Sequence, residues 1–285
     1  MSSYSEITYE TPSQPRQLRL DTVTSCNAEC LSCHRYGSGR KGAMSIGMIQ
    51  ELLNDAARWP IPLTEIIPVN YGEFFIRKDW YAILIMIATT LPKTQIVIPT
   101  NGALLEERDI VQLCQIPTVR IVNLSLNAYF DETYKAFTGL SPKYLHEAEK
   151  KVKLLKTLRP DMTVWSSFVF DPMYQTDLER ALFIQKWKPL VNGVQVLPAA
   201  SANREVKPAI IKNKLPCRSI FSDFVVGYDG KLSSCCFDSG FKLDLGTYTG
   251  DLKKDWRNER IERLRKLHNE HRRDEIPFCS TCTFA

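Results

Sequence analysis

No apolar run in this 285-residue chain is long enough to cross a bilayer. The longest, Trp80 to Leu91, is closed off by Lys78, Asp79 and Lys93, short of the roughly 20 residues a spanning helix needs. The first stretch, Met1 to Gln17, is polar, contains Pro12 and Pro15, and lacks the charged-then-apolar layout of a secretory signal. No internal repeat is present. A soluble, cytoplasmic protein with no membrane partner is expected. The excess of positive charge is only +5, and most of it lies in a late segment containing Arg257, Arg260, Arg263, Arg265, Lys266, Arg272 and Arg273. No aromatics are interleaved there to stack on bases, so no nucleic-acid partner is expected. Glu259 to Arg263 and Glu262 to Lys266 make i,i+4 pairs, and Ile261, Leu264 and Leu267 make an apolar stripe. These features predict a solvated amphipathic helix.

What is present is ordinary globular material, 44% hydrophobic and 24% charged, enough for one sizeable core and a smaller module. From Leu18 to Pro198, short β-branched runs alternate with helical stretches, the pattern of βα units on a parallel sheet. Strands are predicted over Leu18 to Val23, Glu65 to Val69, Gln95 to Ile98, Val119 to Leu126, Met162 to Val169 and Gly193 to Leu197. Helices fit between them over Ser45 to Arg58, Asp79 to Leu91, Leu104 to Cys114, Pro142 to Leu158 and Thr176 to Trp187, with Ser45 and Asp79 as N-caps. Six strands are too few for the eight-fold barrel. The expectation is an α/β fold, a partial (β/α)6 TIM-like barrel over residues 18–200, with the site where strands end and βα loops begin. Residues 1–17 form a polar N-terminal segment and 201–214 a linker; 215–285 form a small α+β module with a β-hairpin at Asp229-Gly230.

Nine cysteines in a reducing compartment point to metal ligation rather than disulfides, and all but Cys114 fall in two groups. Cys114 lies on an apolar helical rhythm and reads as core. The first group is Cys26, Cys30 and Cys33, spelling C-N-A-E-C-L-S-C. Soft thiolates select iron-sulfur clusters or zinc, and structural zinc sites usually pair one C-x2-C with a second close pair. An isolated triplet suits a cubane with one open iron better. The second group is Cys217, Cys235, Cys279 and Cys282, with Cys236 adjacent, for which a four-cysteine zinc site is the serious alternative.

By residue types and interval, the triplet resembles the cluster loop of the radical S-adenosylmethionine (SAM) enzymes, where the open iron chelates SAM. Asn70-Tyr71-Gly72-Glu73-Phe74 stands where that family has Gly-Gly-Glu-Pro, so the resemblance implies that Glu73 takes the SAM amino group beside Gly72. An ordinary turn is the alternative. Thr100-Asn101-Gly102 and Ser125-Leu126-Asn127 also match, with Ser125 and Asn127 implied as SAM contacts, and Val196, Leu197 and Pro198 match the strand beside adenine. The chain departs from the family at Ser32, where an aromatic usually precedes the third cysteine; His34 and Tyr36 are candidate substitutes. Gly37-Ser-Gly-Arg-Lys-Gly42 spells G-x-G-x-x-G but follows a cysteine loop, so it reads as a mobile loop rather than a dinucleotide site.

The second group resembles the family's C-terminal SPASM module, or its shortened Twitch form. No cysteine follows Cys282 before Ala285, so the resemblance implies one auxiliary 4Fe-4S cluster, with Cys235 favoured over Cys236 as ligand. Two clusters and SAM then imply an oxidoreductase that cleaves SAM to a 5'-deoxyadenosyl radical, abstracts a substrate hydrogen and passes an electron to the auxiliary cluster. The layout is most similar to the 2-deoxy-scyllo-inosamine dehydrogenase type. Dehydrogenation of a small polyol or aminosugar-like metabolite is expected, with Arg204 and Glu205 as candidate substrate contacts and a flavodoxin or ferredoxin as electron donor. A peptide maturase or epimerase is the alternative, with the short segment before the cluster loop speaking against a leader-binding domain; a zinc-binding protein without catalysis is the distant one.

Overall fold

The computed structural model describes residues 7–199, 215–280 and 282. Strands β1 (Gln17–Leu20), β2 (Glu65–Ile67), β3 (Gln95–Thr100), β4 (Val119–Ser125), β5 (Thr163–Phe170) and β6 (Gly193–Pro198) alternate with α1 (Ile46–Ala56), α2 (Trp80–Thr90), α3 (Glu107–Cys114), α4 (Asp131–Thr138), α5 (Lys143–Leu158) and α6 (Asp177–Trp187). After them come α7 (Ser219–Ser222), β7 (Asp223–Val226), β8 (Leu232–Ser233), α8 (Leu252–Asp255), α9 (Glu259–Asn269) and α10 (Pro277–Ser280). All strands belong to one open sheet, in the order β6-β5-β4-β3-β2-β1-β7-β8. Every pairing is parallel except β7 with β8. The C-terminal hairpin therefore continues the sheet: β7 adds to β1 with Arg19 opposite Val225.

Alternation along each strand divides the sheet into two faces. Leu18, Leu20, Ile66, Ile98, Val122 and Leu124 point into the main core with the helices. The other face carries a separate small cluster of Ile67, Val97, Ile121 and Trp165.

Some helix starts carry a side-chain cap and others do not. Ser45 caps α1 by accepting a hydrogen bond from Met48 N at 3.1 Å. Asp79 makes no such cap on α2, because both its oxygens accept from the Arg77 guanidinium, at 2.8 and 2.7 Å. Helix α4 was not anticipated; it follows β4 directly and ends at Gly139 with φ 72°. The late basic segment differs from the sequence expectation. Helix α9 forms, but Arg265 and Arg273 are each only 1% exposed. Arg265 lies 3.9 Å over the Trp256 ring and donates to the carbonyls of Ile220 and Trp256. A guanidinium can be buried when its donors find carbonyls and an aromatic face. No helix among the described residues is long and apolar enough to cross a membrane.

Candidate functional site

A cavity of about 270 Å³ opens at the C-terminal ends of the strands and gathers residues from across the chain. Cys26, Cys30 and Cys33 line one side with Gly72 and Glu73. Thr100 and Asn101 stand beside Glu73, Ser125 and Asn127 follow at the next strand end, Leu197 and Pro198 of β6 close one edge, and Phe237 enters from the C-terminal segment. A larger cavity of about 560 Å³ lies between Lys242, Arg260 and Phe278 and contains none of these residues.

The cysteine loop and the Gly72-Glu73 turn are fitted to each other. Glu73 N donates to the Ser25 carbonyl at 2.8 Å. A Cβ on Gly72 would fall 2.0 Å from the Val23 carbonyl oxygen, so only glycine permits this approach. The Glu73 carboxylate is 2% exposed. Its Oε1 accepts from Phe75 N at 3.2 Å and Thr100 Oγ1 at 2.8 Å, and Oε2 from Asn101 N at 2.8 Å. Burial pushes its pKa up and these three bonds hold it down. An ionised carboxylate offers about four acceptor positions, so Oε2 keeps capacity for a cationic donor.

Asn127 holds φ 59°. Its Oδ1 accepts from Val169 N at 2.9 Å, which ties β4 to β5. Ser125 Oγ meets Ser167 Oγ at 3.4 Å. Thr100 also accepts from Gly102 N at 3.0 Å, so Thr100 to Gly102 form a turn that serves Glu73. His34 reaches the cavity; Tyr36 is 54% exposed and stays outside it.

Each thiol of the first group meets donors or its fellows. Cys26 Sγ receives Ala28 N at 3.4 Å and Asn101 Nδ2 at 3.7 Å. Burial, then the charge of Cys33 and Cys26, pushes Cys30 up to about 12. Among the described residues no three His, Cys, Asp or Glu side chains are closed around a single ion. The donor set instead fits a larger group at the cavity wall, because soft thiolates beside a buried carboxylate match a cluster with an amino-acid ligand.

In the second group, Cys235 is held up foremost by burial and then by the charges of Cys236, Cys217 and Cys279. Cys279, pushed up to about 12 by burial, feels Cys217 and Cys282. Cys236 also feels Cys217, but besides burial its larger influences are Arg19 and Asp223. Both thiols are thus near Cys217, while Cys279 acts on Cys235 and Arg19 on Cys236. Cys217 N donates to His268 Nδ1 at 2.9 Å, and burial lowers that imidazole to about 4. Asp238, fully buried, accepts from Ser233 Oγ at 2.9 Å, Lys242 N at 2.6 Å and Leu243 N at 3.0 Å, which shapes the turn after Cys236.

Contacts that the sequence did not reveal join the two cysteine groups. The His34 ring stands 5.7 Å from Tyr71 and 5.3 Å from Phe237. Ser239 Oγ donates to the His34 carbonyl at 2.7 Å. The glycine-rich loop is held rather than loose: Arg40 Nη2 meets Asp229 Oδ1 at 2.5 Å, and its guanidinium lies 4.2 Å over Phe241 and 4.9 Å over Tyr228. Gly42 is required there, since a Cβ would sit 2.1 Å from the Tyr228 ring. Asp21, pushed up to about 6 by burial, faces Arg40 and the amides of Tyr71 and Asn70. The only sequence signal for this clamp is a lone arginine between glycines. Arg204 and Glu205 lie outside the described residues.

Comparison with known proteins agrees with this geometry. Residues 21–181 match the radical SAM superfamily, and residues 217–283 match the SPASM iron-sulfur cluster-binding domain. A probable GTP 3',8-cyclase of Methanocaldococcus jannaschii is 30% identical over 125 residues, covering 43% of this chain and 40% of that protein. Three solved structures share the fold. BtrN in complex with AdoMet and 2-DOIA is 15% identical, with TM-score 0.58, and 97% of this chain and 94% of that one are covered. Streptococcus suis SuiB bound to precursor peptide SuiA is 14% identical, with TM-score 0.69 and coverage of 95% and 70%. Native anSMEcpe with bound AdoMet is 15% identical, with TM-score 0.67 and coverage of 88% and 83%. With both cysteine groups and the Gly72-Glu73 turn inside the matched regions, the chain belongs to the radical SAM superfamily and carries a C-terminal SPASM module.

Proposed function

We propose that the protein is a radical SAM oxidoreductase of the dehydrogenase type, acting on a small polyol or aminosugar-like metabolite. In this reading Cys26, Cys30 and Cys33 hold the SAM-bearing 4Fe-4S cluster, and Gly72, Glu73, Ser125 and Asn127 hold SAM. Cys217, Cys235, Cys279 and Cys282 hold one auxiliary 4Fe-4S cluster, and a flavodoxin- or ferredoxin-type protein supplies electrons. The observation that carries the reading is that the cavity lined by Cys26, Cys30 and Cys33 also takes in Phe237, two residues after Cys235, whose ring meets that of His34.

When bound, the two cofactor sets supply a 5'-deoxyadenosyl radical and a sink for the second electron of a net oxidation. The chain's own part is positional. Glu73 offers its remaining lone pair to an ammonium, and Thr100 and Asn101 keep that carboxylate aimed. Asn127 holds the ends of β4 and β5 together, so that wall keeps its shape. Leu140, Val169 and Leu197 exclude water from the space where a reactive carbon would sit.

The dehydrogenase reading is supported by alignment with BtrN over nearly the full length of both chains. The peptide-maturase reading draws on the higher structural similarity to SuiB with its precursor peptide. Anaerobic turnover decides between them. Reduced, cluster-loaded protein given SAM and a panel of cyclitols and amino sugars is expected to form 5'-deoxyadenosine and a product two hydrogens lighter. Loss of two hydrogens from a peptide encoded beside the gene, with the panel inert, overturns the proposal.

A further inference from the structure

Beneath the cysteine-lined cavity the same face of the sheet encloses a second space of about 230 Å³. Pro99 lines both. Arg19 of β1, Asn123 of β4, Trp165 of β5 and Gln195 of β6 face it. Asn123 and Ser125 are two residues apart on one strand, as are Gln195 and Leu197. Each pair points to the same face, so the lower groups sit roughly 7 Å below the upper ones. That step is close to the span of a hydroxylated six-membered ring with its substituents included.

The lower groups are poorly satisfied by the protein. Arg19 Nη2 donates to Gln17 Oε1 at 3.2 Å, but its buried Nε has no partner, and among the described residues no carboxylate pairs with it. Asn123 Nδ2 donates to Gln195 Oε1 at 3.2 Å, leaving the buried Asn123 Oδ1 unpaired. Buried groups left this way cost stability, which is tolerable where a ligand completes them. Gly193 makes room for the Trp165 indole: a Cβ there would approach it to 3.2 Å. The one carboxylate lining the space, Glu65, is occupied, its Oε1 by Arg16 at 3.2 Å and its Oε2 by Gln17 at 2.7 Å. With Glu65 already ion-paired to Arg16, Arg19 is the charge lining the space that has no carboxylate partner among the described residues, and the local field favours an anion. Arg19 also lies within electrostatic reach of Tyr71 and Cys236.

We propose that this lower space is the substrate site, and that the substrate is a hydroxylated ring or chain carrying an anionic group, carboxylate or phosphate. Arg19 grips the anion, Asn123 and Gln195 bond hydroxyls, and Trp165 packs against the carbon skeleton. The opposite end then rises one ring length into the cysteine-lined cavity. This rests on the oxidoreductase reading above and sharpens its substrate class toward acidic rather than amino derivatives.

Calorimetry on the cluster-loaded protein with SAM tests it, with D-gluconate, D-glucose 6-phosphate, myo-inositol and D-glucosamine as probes. At least one anionic probe is expected to bind about tenfold or more tightly than inositol and glucosamine, and the better anion identifies carboxylate or phosphate as the source. Arg19→Gln should weaken that anion by about tenfold without changing inositol, Arg19→Lys should recover part, and Asn123→Asp should repel the anion. Quenching of tryptophan emission by the probe should vanish in Trp165→Phe. Glucosamine binding as well as the anions, equal anion binding by Arg19→Gln, or no anion binding to the unaltered protein overturns the proposal. Unprimed 5'-deoxyadenosine formation is measured alongside. Its absence from the unaltered protein would sink the radical reading, and its persistence in Arg19→Gln shows the lesion to be in substrate binding alone.

Discussion

The two cysteine groups are built on opposite plans. The first is local: Cys26, Cys30 and Cys33 lie on one loop after β1, braced by the Gly72-Glu73 turn. The second is assembled at long range from the start of the C-terminal segment, the turn after β8 and the end of α10. A local set needs one correctly formed loop, whereas a dispersed set needs the whole module docked. Docking rests on β7 pairing with β1 and on the Arg40 and Ser239 bridges.

The sharpest break of this comparison is between Cys30→Ala and Cys279→Ala. Cys30→Ala should abolish SAM cleavage. Cys279→Ala should spare cleavage, read as 5'-deoxyadenosine, and lose substrate turnover. Turnover retained in Cys279→Ala would show that the second cluster is not the electron acceptor, and lost cleavage would show that the groups are not independent.

Next in size is Glu73→Gln, which keeps shape and removes charge. SAM affinity of the cluster-loaded protein should fall by about ten- to a hundredfold, the worth of a charge-assisted hydrogen bond. Unchanged affinity by calorimetry would assign Glu73 to the turn alone.

Arg40→Ala probes the docking itself. Removing a mostly buried guanidinium from between two rings and Asp229 should destabilise by about 2 kcal/mol, seen as a lower denaturation midpoint with SAM affinity kept. No shift would mean that β7 pairing alone holds the module.

The smallest effect is a pH dependence. Folding raises the Asp21 pKa to about 6, so the folded state binds its proton more firmly than the unfolded chain does. The stability contributed is full below about pH 4, the ordinary aspartate value, and is lost as pH rises through 6. Asp21→Asn cannot ionise and should gain steadily on the unaltered protein as pH rises from 4 to 7. Melting curves with a pH-independent difference would place the Asp21 charge elsewhere.

Much of the fold was legible because β-strand and helix periodicities are local. Leu18 and Leu20 alternate with Gln17 and Arg19, and Ser45 announces α1. Helix α4 escaped because Asp131 to Thr138 follows a strand end already assigned to site residues. Arg265 and Arg273 misled because a basic residue signals solvent unless carbonyls and a ring gather around it, and those come from distant segments. Arg40 misled for the same reason, since its partners Tyr228, Asp229 and Phe241 are far away in sequence.

By itself the sequence determined the succession of strands and helices and pointed to thiolate ligand chemistry: thiol spacing, a Gly-Glu turn after a strand, and hydrophobic alternation all act within a few residues of one another. Only the tertiary structure decided that the C-terminal hairpin extends the sheet through β1. It alone turned Arg19, Asn123, Trp165 and Gln195 onto one concave face. The reason is physical: which side of a strand a residue occupies follows from its neighbours, but what lies across the space depends on register and sheet order, set by backbone pairing between segments far apart in the chain.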